Sequence, residues 1–483
     1  MPSIKKSFFW SAVEQLGPKA VQIIVTIFMA RLLDPKMFGL MGMLALFMGL
    51  AQVFSDCGLS ASLIQKQDLT KDDETSVFMM NIGLGIVLTI LLCVISPLVA
   101  RFYNQPILVP LLCVQALATF VSSFSIVQRS LLSRTMLFHK TAMVGTVSTV
   151  VSGITGMCMA YFGFGVWSLV GATLALNIVQ AGLLWKVSDW RPRGRIRLTA
   201  VRSIWNFSSY LLYCQLIGII YQNMYSVVIG KVYSAESLGY YNRANTLRML
   251  PASTMTGVVN RVAFPLFSRC QHDKVLMLKR MRELVRSSLL LSCAGMVLLA
   301  VTADPLIPLL MTDKWMPAVP LMRILCYGAI TYPVHALFLM ALQAQGYSNL
   351  NFRLESIKMV SGLIVIATMY RFGVAALAWG AVLLAVQAYF INAWYNVKLL
   401  KYRWRDQAFD IFPILILCAL SGFAAWLVGG MGARHAIVTL MIQSGTFAVI
   451  LGAGVWLFRN LFFMDVWRHA TGVVKWARQQ SER

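Results

Sequence analysis

The feature that most constrains this chain is a series of long apolar segments, each about as long as a bilayer is thick. A helix needs about 20 apolar residues to cross the hydrocarbon, and runs of that length recur along a chain of 483 residues. A soluble core cannot absorb this pattern, because 58% of the residues are hydrophobic and only 12% are charged. The sequence therefore predicts an all-α integral membrane protein that crosses the membrane many times.

We count fourteen candidate spans, or twelve if the arginine-containing eighth and the short eleventh are left out. The spans are Phe8–Ala30, Phe38–Leu59, Val77–Ala100, Leu108–Leu131, Met143–Phe162, Val166–Val187, Ile204–Gly230, Leu247–Phe267, Ser287–Ala303, Val319–Leu342, Ile357–Tyr370, Val374–Val397, Phe409–Gly430 and Ala436–Phe458. The first carries no cleavage site of the signal-peptide type, so we expect it to be retained. An outer-membrane barrel is excluded because its strands alternate apolar and polar residues over about 10 positions.

The distribution of positive charge predicts the orientation. Most of the 42 Lys and Arg residues fall on alternate connections, on the same side as the N-terminus. Cytoplasmic loops carry such an excess, so we expect both termini in the cytoplasm. The net charge of +24 then reflects topology and does not indicate nucleic-acid binding. Residues 461–483 form a basic amphipathic segment that we expect to lie on anionic lipid.

Short matches recur at an offset of 200 residues and indicate an internal repeat. The matching pairs are Gln15-Leu16 with Gln215-Leu216, Ala30-Arg31-Leu32 with Gly230-Lys231-Val232, and Phe38-Gly39-Leu40 with Leu238-Gly239-Tyr240. Six spans separate the copies, so both have the same orientation, as in parallel repeats related by an axis along the membrane normal. We predict six-helix lobes at 1–190 and 191–402 around a central cavity, a trailing helix pair at 403–460, and transport by alternating access.

Five motifs at span ends resemble those of the polysaccharide transport (Wzx-like) family, in its colanic-acid-exporter subgroup. They are Ala30-Arg31-Leu32-Leu33-Asp34-Pro35 with Phe38-Gly39-Leu40, Asp56-Cys57-Gly58-Leu59 to Ile64-Gln65, Tyr241-Asn242-Arg243-Ala244, Asn260-Arg261-Val262-Ala263-Phe264-Pro265-Leu266-Phe267-Ser268, and Lys314-Trp315 with Pro320-Leu321. The resemblance covers residues 8 to about 402. The larger superfamily also holds multidrug exporters and the lipid II flippase.

The resemblance implies a flippase for an undecaprenyl-diphosphate-linked oligosaccharide in the bacterial inner membrane. Such a protein serves exopolysaccharide, capsule or O-antigen synthesis. Its candidate partners are a polysaccharide polymerase and a chain-length regulator, besides the membrane lipids. We expect a monomer that uses no cofactor.

Charged residues inside spans are costly, and they are therefore candidates for function. Arg261 is the first candidate for the diphosphate, because a guanidinium presents a planar fork of donors; the alternative is a structural ion pair with another span. Arg323 and Lys19 are further candidates for substrate binding, although Arg323 lies close enough to a span end to reach the surface. Glu14 is a candidate for coupling or for a pair with Arg261.

Other candidates lie at span ends and along the seventh span. Asp56 is placed to cap a helix or to gate the second span. Three arginines are candidates for an outer gate or for interfacial anchoring; they are Arg31, Arg243 and Arg248. The seventh span is unusually polar, and three of its amide side chains suit sugar binding; they are Gln215, Gln222 and Asn223.

Three other functions compete with this hypothesis. A multidrug or small-solute exporter of the same fold predicts a narrower, acidic cavity. A lipid II flippase predicts an essential gene. A membrane glycosyltransferase, polymerase or ligase needs catalytic carboxylates or a large external loop, which the sequence lacks, so we predict no enzyme activity. There is no phosphate-binding P-loop sequence, and the nine cysteines and five histidines show no metal-ligand spacing.

Overall fold

In a computed structural model of the chain, the described residues are 4–56, 60, 63, 69–195, 198–430 and 435–457. Within these ranges the chain forms seventeen α-helices and no strand. The first nine are α1 (Ile4–Leu32), α2 (Pro35–Asp56), α3 (Lys71–Tyr103), α4 (Leu108–Ser123), α5 (Ile126–Arg134), α6 (Phe138–Tyr161), α7 (Trp167–Val187), α8 (Leu198–Val232) and α9 (Ala235–Arg269). The others are α10 (Lys274–Val301), α11 (Ala303–Met311), α12 (Ala318–Ala329), α13 (Tyr332–Ala344), α14 (Ser348–Met369), α15 (Val374–Leu400), α16 (Trp404–Gly430) and α17 (Ala436–Leu457).

The predicted spans coincide with these helices, which confirms the all-α membrane fold. Among the described residues, nine segments are long and apolar enough to cross a membrane, and the bent pair α4–α5 makes a tenth. The remaining predicted spans correspond to α1, α8, α9 and α14, which carry more polar residues. Large apolar side chains such as Val94 and Val449 are 68% and 70% exposed, as expected where a helix faces lipid.

Local sequence signals set where helices begin and end. Before α3, the Thr70 hydroxyl accepts from the Asp73 amide at 3.2 Å, while the Asp73 carboxylate accepts from the Thr70 amide at 3.1 Å. This capping box satisfies two amides that have no partner within the helix. The same helix ends at Asn104, whose φ of 55° is left-handed, a conformation that asparagine tolerates.

Contacts group the chain into two compact units, 1–239 and 240–483. In the first unit, α6 packs against α1 and α7, α4 contacts α2, α3 and α7, and α8 lies against α2 and α3. Gly153 on α6 allows the close approach of α1, because a Cβ there would lie 2.2 Å from a methyl group of Val25. The lobe boundary at residue 190 and the trailing pair remain predictions.

Two glycines that are 200 residues apart make reciprocal contacts, and all the residues involved lie in the first unit. A Cβ on Gly39 would lie 1.5 Å from the Ala235 carbonyl oxygen, and a Cβ on Gly239 would lie 2.0 Å from the Pro35 carbonyl oxygen. Each contact is the other with 200 added or subtracted, which is the self-complementary pattern that two-fold symmetry produces. The starts of α2 and α9 therefore cross with local pseudo-two-fold symmetry, as the internal repeat predicts.

In the second unit, a buried carboxylate joins α16 to α10. Asp410 is fully buried and accepts from Arg282 Nε at 2.8 Å, from Arg286 Nε at 2.8 Å, and from the Tyr402 hydroxyl at 2.7 Å. Burial, together with the Asp410 charge, raises the pKa of the Tyr402 phenol, so the hydroxyl stays protonated and donates. The carboxylate is therefore fully buried and paired, while the two arginine side chains remain partly exposed, at 33% and 27%.

Candidate functional site

The fourth predicted span is broken in the first unit. It consists of α4 and α5, whose axes differ by 41°, with Phe124 and Ser125 between them. The break frees the Phe124 carbonyl, which accepts a hydrogen bond from the Trp185 indole Nε1 of α7 at 2.9 Å. Broken helices are tolerated at membrane depth when neighbouring side chains satisfy the freed backbone groups and the break lines a cavity.

A polar cavity of about 440 Å³ lies beside this break. Its size falls in the range of about 300–1,000 Å³ that is usual for ligand pockets. The lining residues come from α2, α4, α5, α7, α8 and the nearby connections. They are Gln52, Val53, Asp56, Ser60, Ser122, Ser125, Ile126, Arg129, Asn177, Gln180 and Gln215. Only Val53 and Ile126 of this set are apolar. So high a share of polar residues is unusual for the interior of a membrane helix bundle.

The cavity reaches from the ends of helices towards the middle of the bilayer. Asp56 is the last residue of α2, whereas Asn177 lies ten residues before the end of α7 at Val187. Ten residues of helix span roughly 15 Å, about half of the hydrocarbon thickness. Gln215, near the centre of the predicted seventh span, lines the same cavity. Polar side chains therefore continue to mid-membrane depth.

The chemistry of the cavity suits an uncharged polar group next to an anion. Arg129 is exposed, lines the cavity, and offers guanidinium donors of the kind that bind phosphate. Asp56 is the one carboxylate in the lining, and it accepts from the Ser60 hydroxyl and, at 3.4 Å, from the Ser60 amide. The amide of Asn177 donates one hydrogen to the Thr173 carbonyl of its own helix at 2.9 Å, which leaves its second N–H and its oxygen for a ligand. The Gln180 amide likewise carries both donors and acceptors, as sugar hydroxyls require.

The structure brings together two of the residues predicted from sequence, Asp56 and Gln215, in this cavity. Gln222 lies two turns further along α8 and is exposed, while the neighbouring Asn223 side chain donates to the Ile219 carbonyl of its own helix at 2.9 Å. Lys19 is exposed on α1. Their roles in substrate binding remain predictions.

Arg323 has a polar partner in the second unit. Its guanidinium forms an ion pair with Asp304, and its Nε donates to the Ala300 carbonyl at 3.2 Å. Both partners lie where α10 gives way to α11. This arrangement ties α12 to that junction, and substrate binding by Arg323 stays a prediction.

The three arginines predicted at the outer side have different surroundings. Arg31 is exposed at the end of α1. Arg243 is 7% exposed, and its guanidinium lies 5.4 Å from the ring centroid of the buried Trp315, a cation–π contact. Arg248 donates to the Leu325 carbonyl at 3.2 Å. The gating role of all three is untested.

Two predicted residues have side chains outside the described part of the structure. They are Glu14 on α1 and Arg261 on α9. The diphosphate role of Arg261, the coupling role of Glu14 and the pair between them therefore remain predictions.

Three lining residues were not predicted from the sequence: Arg129, Asn177 and Gln180. A usable signal was present, because a group of serines from position 122 to 125 interrupts an apolar run immediately before Gln128 and Arg129. Serines of this kind satisfy freed backbone groups where membrane helices break.

The second unit carries an apolar groove of about 660 Å³ between α10, α16 and α17. Its walls include Leu290, Phe412, Leu417 and Val455, and Arg405 lies at one end. A groove of this composition accommodates hydrocarbon, and the arginine adds a positive charge where the helix begins.

Comparison with curated proteins identifies relatives that take part in cell-surface polysaccharide synthesis. The chain is 25% identical over 440 residues to the teichuronic acid biosynthesis protein TuaB of Bacillus subtilis (strain 168), with 88% of this chain and 90% of that protein covered. It is 25% identical over 324 residues to the lipopolysaccharide biosynthesis protein WzxC of Escherichia coli (strain K12), covering 66% and 65% of the two chains.

Comparison with solved structures identifies a transporter fold. The lipid II flippase MurJ in an inward closed conformation superposes with a TM-score of 0.73 at 13% identity, covering 93% of this chain and 99% of that one. An inward-facing multidrug resistance MATE family transporter of the MOP superfamily gives a TM-score of 0.63 at 14% identity, covering 82% and 99%. The protein is thus a multi-pass membrane protein with the fold of this superfamily. A family model described as polysaccharide biosynthesis protein matches residues 28–320, and the chain belongs to that family.

Proposed function

We propose that this protein is a flippase that moves an undecaprenyl-diphosphate-linked oligosaccharide across the bacterial inner membrane. The observation that carries the proposal is the polar cavity of the first unit, which extends to mid-membrane depth and combines amides, hydroxyls and one arginine. Family membership supports the same conclusion, because members are described as polysaccharide biosynthesis proteins. Moving a lipid between leaflets breaks no covalent bond, so the proposal includes no enzymatic step.

The substrate has three chemically distinct parts, and the protein offers a matching surface for each. The diphosphate requires a cation, which Arg129 supplies in the cavity and which Arg261 is predicted to supply from α9. The sugars require paired donors and acceptors, such as Asn177, Gln180 and Gln215. The prenyl chain requires apolar surface, which lipid-facing side chains such as Val94 provide.

The proposed topology follows the positive-inside rule. Both termini face the cytoplasm, and the end of the cavity that Asp56 lines then lies towards the cytoplasmic side. The predicted lobes at 1–190 and 191–402 would expose the polar path to the two sides alternately. We propose a monomer, with a polysaccharide polymerase consuming the translocated product.

The test is mass spectrometry of undecaprenyl-diphosphate glycans from cells with and without the gene, grown with polymer synthesis induced. The proposal predicts that one oligosaccharide repeat accumulates in the deleted cells, on the cytoplasmic leaflet, and that the wild-type gene clears it. An unchanged lipid pool with altered drug susceptibility would instead support a multidrug exporter of the same fold.

The Arg261 prediction has a test of its own. Arg261→Ala should abolish polymer export while the amount of protein in the membrane stays normal. Normal export by this variant would remove Arg261 from the diphosphate role, without affecting the assignment of Arg129.

A further inference from the structure

The apolar groove of the second unit has a basic end that the proposed function does not use. The groove lies between α10, α16 and α17, and Arg405, in the first turn of α16, is its one charged lining residue. The Arg405 side chain is exposed, and the described residues give it no hydrogen bond or ion pair. Basic pockets between membrane helices are typical binding sites for anionic lipid headgroups.

Two further guanidinium groups lie close to this end of the groove. Arg286 comes one turn before Leu290, a lining residue, so the two side chains share one face of α10. Arg282 comes one turn earlier still. Both arginines bind Asp410 through Nε and Nη2, and both side chains remain partly exposed. Neither Nη1 atom has a hydrogen bond among the described residues, so both keep donors for a ligand.

The balance of charge at this end is positive. Two carboxylates act on the three arginines: Asp410 is buried between α10 and α16, and Asp406 acts electrostatically on Arg282. One positive charge is therefore left over, and two exposed basic residues just before α16, Lys401 and Arg403, add to it. A negatively charged headgroup complements this charge better than a zwitterionic one does.

The length of the groove matches one leaflet of a bilayer. Its lining runs along α16 from Arg405 to Leu420 and is apolar after the arginine. Fifteen residues of helix span about 22 Å, and one leaflet with its headgroup region is about 20–22 Å thick, half of the whole bilayer. With Arg405 at the level of the headgroups, the groove reaches the bilayer midplane. A lipid of a single leaflet therefore fits along its whole length.

We propose that this groove is a specific binding site for an anionic glycerophospholipid. Its phosphate contacts Arg405 and the free donors of Arg282 and Arg286, and its acyl chain lies along α16 towards Leu420. A lipid in this position touches all three helices and holds the α16–α17 pair against α10. The inference goes beyond the proposed function, because it does not depend on which substrate the protein moves.

The headgroup assignment is tested by native mass spectrometry of the purified full-length protein. Phosphatidylglycerol is the probe, and phosphatidylcholine with the same acyl chains is the comparison. We expect the protein to retain one phosphatidylglycerol in preference, and Arg405→Ala to lower that affinity about tenfold or more, as for the loss of a charge-assisted contact. Arg353→Ala, at an exposed arginine of α14, should bind as the wild type does. Equal affinity for the two lipids, or unchanged affinity in Arg405→Ala, would overturn the proposal.

The apolar part of the site is tested by blocking its deep end. Leu420 is 59% exposed, so Leu420→Trp is compatible with folding, and it should weaken phosphatidylglycerol binding. Leu427→Trp lies beyond the groove on the same helix, at a side chain 45% exposed, and serves as the matched control. Equal binding by the two tryptophan variants would contradict the assignment of the acyl chain to the groove.

Thermal unfolding in detergent measures whether the lipid holds the helices together. A ligand that binds the folded state stabilises it, so phosphatidylglycerol should raise the unfolding temperature of the wild type and of Arg353→Ala, but not that of Arg405→Ala. The same increase in Arg405→Ala would overturn the proposal. Tighter binding of undecaprenyl phosphate than of phosphatidylglycerol would also overturn it, because the groove would then belong to the carrier lipid.

Discussion

Two spans of this protein are interrupted, one in each unit, and the side chains around the two interruptions differ. In the first unit the break between α4 and α5 bends the chain by 41° and opens onto a polar cavity of about 440 Å³. In the second unit the interruption at Thr331 leaves residues 318–344 as one continuous span, and the Thr331 hydroxyl lies 3.0 Å from His335 Nε2. In each unit a side chain from a neighbouring helix bonds the freed carbonyl: Trp185 in one and Ser292 in the other.

The two interruptions differ in which polar groups they expose. A bend exposes side chains to a substrate, and the first unit fills that exposed surface with Arg129, Asp56 and amides. The second unit instead pairs its buried carboxylate, Asp410, with two arginines.

The largest expected effect is a loss of stability when the carboxylate of Asp410 is removed. Asp410→Asn leaves Arg282 and Arg286 without their carboxylate, and breaking a buried ion pair costs about 3–5 kcal/mol. We expect thermal unfolding in detergent to occur at a clearly lower temperature. Asp313→Asn, at an exposed carboxylate in the same unit, should unfold as the wild type does. Equal stability of the Asp410 and Asp313 variants would show that the cluster does not hold α16 to α10.

A large effect on transport, without one on stability, is expected in the first unit. Arg129→Ala removes a charge-assisted contact worth about 1.5–3 kcal/mol, so polymer output should fall about tenfold or more while unfolding is unchanged. Arg193→Ala, at an exposed arginine of the connection after α7, serves as the matched control. Similar output from both variants would mean that positive charge on this side of the membrane matters only for topology.

A smaller effect is expected from the neutral lining of the cavity. Asn177→Leu removes one amide that we assign to sugar binding, and a neutral hydrogen bond contributes about 1 kcal/mol. Transfer of the lipid-linked oligosaccharide should slow about fivefold, and Asn177→Gln should restore most of the rate. If leucine and glutamine give the same rate, position 177 does not contact the substrate.

The features of the fold that depend on residues close together in the sequence could be predicted, whereas those that depend on tertiary contacts could not. The helices follow from apolar segment lengths, and their ends from local signals such as the Thr70–Asp73 capping box. The reciprocal contacts of Gly39 and Gly239 were anticipated by the repeat. These features depend on neighbours in sequence or on internal similarity.

The site was predicted only in part, because it depends on tertiary contacts. Asp56 and Gln215 were singled out, yet nothing local places them beside Arg129, since α2, α5 and α8 meet only in the folded unit. The break at Phe124 is stabilised by Trp185, which lies 61 residues away.

The measurement that tests the central claim most directly is leaflet transfer in a reconstituted system. Lipid-linked oligosaccharide extracted from gene-deleted cells is placed in proteoliposomes, and the fraction accessible to a membrane-impermeant glycosidase is followed over time. The account predicts that wild-type protein makes the inner-leaflet pool accessible, whereas Arg129→Ala does so about tenfold more slowly or not at all. Equal rates for the wild type, Arg129→Ala and protein-free vesicles would contradict the assignment of this cavity as a flippase site.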